Sequence, residues 1–155
     1  FVMAWCWCNA TESKPQNVVR HFGKTERNME NLTYEIQIDN IKIGTTELEN
    51  SDAPMGTVFG KIKFENIISG YNFFKDYCIK NRIEFTDYEE EKLILTLNMP
   101  NIKIHNKNRN EITGVTTSVS GMDSDEFEIT IVGIPYPYFE TEFPEHVKKY
   151  KEMFD

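Results

Sequence analysis

Cysteine is scarce and odd in number: 155 residues hold only Cys6, Cys8 and Cys78. Cys78 falls in a stretch patterned as a helix, so a disulfide framework of the kind that staples small secreted domains is excluded, and the expectation is a reducing, cytoplasmic setting. No apolar run approaches the ~20 residues that a bilayer-spanning helix needs. The opening FVMAWCWC is shorter than that and has no basic stretch before it, so it does not read as a signal peptide. Positive charge is also in deficit, with 17 Lys and Arg against 25 Asp and Glu, a net charge of −8. Such a chain is repelled by nucleic-acid phosphates and anionic membranes and attracts basic partners.

The motifs of common chemistries are missing as well. The sequence has no G-x-G-x-x-G, no phosphate-binding G-K-[ST] loop and no G-x-S-x-G nucleophile elbow. Its three histidines, His21, His105 and His146, are dispersed. Only His21 lies near cysteines, and Cys6, Cys8 and His21 lack the fourth ligand of a structural zinc site. Asp123, Asp125, Glu126 and Glu128 crowd a turn as a hard-cation site would, but no Gly stands at the sixth position and no Glu at the twelfth of a calcium loop. Paired carboxylates do acid–base work only when a poorly solvated cleft raises one of them, and these read as lying on a solvated face. The expectation is a protein without catalysis, cofactor or metal.

What the chain does have is rings. Eleven Phe and seven Tyr, 13% aromatic residues with Trp included, are far too many for a disordered chain. The length suits one domain with a single core. Residues 1–28 carry a net charge of +2, which leaves −10 for the remainder. They show neither alternation nor a helical stripe and are read as an extension or arm, with one α+β domain over residues 29–155.

Within that domain the run EFEITIVGIPYPYF, residues 126–139, is the clearest element. Phe127, Ile129 and Ile131 alternate with Glu126, Glu128 and Thr130, as a strand with one buried face requires. Pro135 and Pro137 then remove ladder donors and predict a stiff, extended exit. Tyr34, Ile36 and Ile38 alternate up to Asp39-Asn40, a bend or tight hairpin before Ile41. Val58, Ile62 and Phe64 are expected inward, with Gly60 allowing a close approach. Tyr71, Phe73, Phe74, Tyr77 and Cys78 share the i, i+3, i+4 spacing of a buried helical stripe over residues 69–81, with Ser69 as its cap. A short strand is expected at 82–85 and an acidic turn at 86–92. The run Leu93–Leu97 is apolar on both faces and is expected centrally in the sheet. Alternation from Ile112 to Val119 predicts a further strand. Pro144 opens a terminal helix whose buried stripe is read as Val147, Tyr150 and Phe154, with Met153. About eight short strands and two helices, joined by hairpin-like connections, predict a mainly antiparallel α+β fold.

The remaining signal is acid beside aromatic. Asp87, Glu89, Glu90 and Glu91 flank Tyr88; Asp123, Asp125, Glu126 and Glu128 precede Tyr136 and Tyr138; Glu140 and Glu142 follow them. Together these residues are the candidate partner-binding set, the acids steering encounter and the rings supplying anchoring area. In general character, a small acidic Asn/Lys/Ile-rich α+β module without catalytic motifs, the stretch 29–155 resembles the immunity proteins of bacterial contact-dependent inhibition and related polymorphic toxin systems. That resemblance carries no signature motif and transfers no residue role. It implies stoichiometric neutralisation of a basic, often nuclease, toxin domain, with no nucleic acid or membrane as partner and with the oligomeric state left open. Two other expectations stand beside it. One is a small-ligand or carbohydrate-binding β-module using Tyr136, Tyr138 and Phe139 as a platform. The other is a metal-dependent hydrolase centred on Asp123 and Asp125.

Overall fold

The computed structural model describes residues 32–155, so the arm expected over residues 1–28 lies outside the described residues. Alternation forms the first hairpin. Strands β1 (Tyr34–Ile38) and β2 (Ile41–Thr46) pair antiparallel, with Tyr34, Ile36 and Ile38 buried. Asp39 and Asn40 stand at φ 51° and 65° between them, the left-handed pair that a two-residue turn requires and that Asn and Asp tolerate best.

Strand β3 (Asn50–Asp52) leads through a single 3₁₀ turn into β4 (Thr57–Lys61) and β5 (Lys63–Phe64). β4 pairs with β10, whereas β5 pairs with β2, so one nearly continuous stretch changes sheets at Ile62, whose N–H donates to Phe127 O at 2.8 Å. Gly60 of β4 allows the close approach of the chain at Leu48. A Cβ there would stand 2.7 Å from Leu48 N and 2.8 Å from Leu48 Cα.

Helix α1 (Gly70–Asn81) is capped by Ser69, whose hydroxyl accepts from Asn72 N at 3.1 Å; it ends at Arg82 in the left-handed region, one residue beyond the expected stop. Then follow β6 (Phe85–Tyr88), β7 (Leu93–Thr96), β8 (Ile102–His105), β9 (Thr116–Met122) and β10 (Phe127–Val132), and helices α2 (Tyr138–Glu142) and α3 (Pro144–Glu152). The strands form two antiparallel sheets, ordered β5-β2-β1-β8 and β3-β4-β10-β9-β7-β6. Their buried residues make one cluster, in which Ile36, Ile38 and Ile104 of the smaller sheet join Val58, Ile94, Val119, Ile129 and Ile131 of the larger. Phe64, Phe74 and Phe127 pack at centroid separations of 5.4–6.0 Å, bringing the two sheets and α1 into one contact.

The α+β class with antiparallel sheets is as expected, but the described residues hold ten strands rather than about eight. β3 and β5 span three and two residues, too few for a period of two to register. A third helix, the five-residue α2, takes the place of the straight exit expected after Pro135. The chain turns there, with a cis Tyr136–Pro137 peptide. β6 begins three residues later than expected, and β9 runs Thr116–Met122, because the N–H of the buried Ile112 instead joins Ile104 O beside β8. The stripe assigned to α3 is only partly covered: Val147 and Tyr150 are half-buried, whereas Met153 and Phe154 are exposed.

Candidate partner interface

Strand order brings together acids that are distant in sequence. β6 pairs with β7 and β7 with β9, and Asp123 N donates to Lys92 O at 3.3 Å. The β6–β7 turn at residues 89–92 and the β9–β10 turn at residues 123–126 therefore project from the same end of the six-stranded sheet. Two of the three acidic groups become one surface.

The acids of that end have different jobs. Asp87 is half-buried; it accepts from Tyr71 Oη at 2.6 Å and pairs with Lys75 Nζ at 2.9 Å, while Lys75 also donates to Tyr71 Oη at 2.8 Å. The Tyr71 hydroxyl, then the Lys75 ammonium, hold the Asp87 carboxyl below its usual range, and Lys75 is raised in turn by Tyr71 and Asp87. Asp123 serves the start of α1, accepting from Tyr71 N at 3.0 Å and from Ser69 Oγ at 2.5 Å. Glu126 is paired with Lys61. Glu128 is half-buried, and burial, then the nearby Glu49 carboxylate, raises its carboxyl. Glu89, Glu90, Glu91 and Asp125 stand exposed and project into solvent at the turns.

Because a depressed carboxyl contributes stability above its unfolded pKa of about 4 and loses it as pH falls through the folded value, Asp87 adds to the acid limb of unfolding. Asp87→Asn should therefore flatten the fall in the urea midpoint between pH 5 and pH 3. An acid limb as steep as wild type would show that the triad contributes nothing. Glu128 works in the opposite sense, since protonation relieves its burial, so the two are separable by single substitution.

Beside the acids lies an uncovered apolar strip. On the outer face of the sheet Tyr88 stands opposite Leu93, Thr86 opposite Leu95, and Leu93 opposite Met122. Tyr88 is 53% exposed, Leu95 41% and Leu97 77%. β7 was expected centrally in the sheet; it lies between β9 and β6, one strand in from the edge, with one face open. Its inner side chains, Ile94 and Thr96, are buried, Thr96 Oγ1 donating to Val119 O and accepting from Val119 N. Its outer leucines face solvent. The signal was present in the sequence as apolar residues on both faces, but it marked an exposed face and not a covered one.

Tyr136, Tyr138, Glu140 and Glu142 lie elsewhere. They follow β10, whose six residues carry the chain roughly 20 Å from the acidic turns. Tyr136 is 48% exposed, yet its hydroxyl donates to Ala53 O at 2.7 Å and its ring packs 5.3 Å from that of Phe139. Tyr138 is half-buried, Phe139 is fully buried, and Glu142 accepts from Asn106 Nδ2 at 3.1 and 3.3 Å. The three rings therefore share no open platform on which a sugar could stack.

Among the described residues no three of His, Cys, Asp and Glu converge as metal ligands, and Asp123 is engaged with α1. Cys78 is buried within the core, which raises its thiol. Among the described residues no helix is long and apolar enough to cross a membrane. Comparison of the chain with family models, with curated proteins and with solved structures returns no match.

Proposed function

We propose that this chain is a non-catalytic binding protein that captures a basic protein partner on the acidic end and outer face of its six-stranded sheet, neutralising a toxin domain as the immunity proteins it resembles do. The observation that carries this reading is the adjacency of exposed Glu89, Glu90, Glu91 and Asp125 to the uncovered Tyr88, Leu95 and Leu97. Charged turns accelerate encounter with an oppositely charged surface, and desolvated aromatic and aliphatic side chains then slow dissociation. Tyr136, Tyr138, Glu140 and Glu142 drop out of the contact set on this reading, because they face another end of the molecule.

Affinity capture from the source cells, followed by mass spectrometry, tests it. A stoichiometric basic polypeptide, released as salt rises, is the expected result; recovery of no basic partner at any salt concentration overturns the proposal. With the partner in hand, reversing all three charges (Glu89→Lys, Glu90→Lys, Glu91→Lys) should slow association about tenfold or more at low salt and leave the dissociation rate nearly unchanged. An unchanged association rate removes this turn from the interface.

A further inference from the structure

The mode of partner binding follows from the edges of the two sheets. Of the four, β5 is two residues long, and β3 has three residues and shares a groove with His146 and Tyr150 of α3. β8 is covered by the chain that follows it, through a bridge from His105 to Glu111 and the bond from Ile112 N to Ile104 O. Among the described residues β6 is the remaining edge, four residues long and paired only with β7. The antiparallel ladder fixes which of its backbone groups are open. Asp123 N donates to Lys92 O, so alternation turns Ile94 toward β9 and Leu93 and Leu95 toward β6. Their partners Tyr88 and Thr86 thus bond inward, and Phe85 and Asp87 present N–H and C=O outward along the free edge.

Unpaired edges recruit strands, and charge decides which. Exposed Glu84, Glu89, Glu90 and Glu91 flank this edge, whereas the carboxylate of Asp87 within it is already taken by Lys75 and Tyr71. A second copy of the chain would set that row of acids against its own likeness, which like-charge repulsion opposes. An extended segment carrying Lys or Arg meets attraction instead. Its alternate side chains, if apolar, continue the outer strip of Tyr88, Leu93 and Leu95. We propose that β6 accepts an extended basic segment of the partner as an added antiparallel or parallel strand, with apolar residues toward the outer face and basic residues toward the acids. This rests on the reading of the chain as a binder of a basic protein and specifies how that binding occurs.

The probe is an acetylated ten-residue peptide alternating Lys with Val, added to the full chain. Two controls accompany it: the same peptide with Lys replaced by Glu, and the Lys peptide N-methylated at every second amide, which keeps charge and side chains but cannot complete a ladder. Nuclear magnetic resonance with amide exchange should show the Phe85 and Asp87 amides protected at least tenfold, with the N-methylated and Glu peptides at least tenfold weaker. Equal binding by the N-methylated peptide, protection confined to other segments, or no protection at millimolar Lys peptide overturns strand addition. So does a homodimer in sedimentation whose Phe85 and Asp87 amides are already protected without peptide. Each of these outcomes leaves the capture of a basic partner to be judged on its own experiment, because a partner can still dock on the outer face with β6 unpaired.

Discussion

Phe127→Ala should lower the free energy of unfolding by about 3–5 kcal/mol, read from urea titration of the full chain. The ring is nearly fully buried and packs against two other parts of the fold. It lies 5.4 Å from Phe64 of β5 and 5.9 Å from Phe74 of α1, and a Cβ added at Gly70 would come within 3.0 Å of three of its atoms. Truncation leaves a cavity whose walls belong to the other sheet, through Phe64, and to helix α1, through Gly70 and Phe74, and walls anchored so differently cannot collapse together. The loss is a large part of the 5–15 kcal/mol typical of a domain. A change below about 1 kcal/mol would mean that these rings repack freely. Phe127→Leu, which keeps most of the volume, should cost much less.

Asp123→Ala should cost about 1–2 kcal/mol, whereas replacing Glu89, Glu90 and Glu91 together should change stability by less than about 0.5 kcal/mol. The contrast follows from the bonds. Asp123 accepts from the Tyr71 amide and from the Ser69 hydroxyl that itself caps Asn72, so its removal leaves the first turn of α1 short of an acceptor and of a negative charge. Asp123→Asn should recover part of the loss, since an amide oxygen still accepts. The glutamates of the β6–β7 turn make no such demand on the fold. If Asp123→Ala proved as silent as they are, the helix start would be held by Ser69 alone, and Asp123 would return to the set of residues free for partner contact.

The strands with one clean alternation were legible: β1, β10 and the hairpin at Asp39-Asn40 lie where period and turn chemistry place them. So was α1, whose aromatic stripe sets its buried face. β6 was misplaced for a physical reason. Its alternation runs Phe85 and Asp87 inward with Thr86 and Tyr88 outward, and an inward aspartate looks like a turn residue until its partners are known. Those partners, Tyr71 and Lys75, come from the preceding helix, and only packing brings them close. The acidic set was legible by type and not by place. Nothing local in DYEEE or DSDEFE says that the two share an end of one sheet, because this depends on the order β9-β7-β6. Conversely, Tyr136 and Tyr138 neighbour acids in sequence, but the length of β10 separates them from the turn at 123–126.

The chain that leaves one sheet as β4 and enters the other as β5 has a consequence for how the molecule comes apart. With only Ile62 between the two pairings, neither sheet can open along this line without pulling on the other. Phe64 is joined to Phe127 besides, so peeling the short sheet also uncovers the long one. Native-state amide exchange should therefore find Val58 in β4 and Ile36 in β1 opening in the same event, with the same denaturant slope, so that the sheets behave as a single foldon.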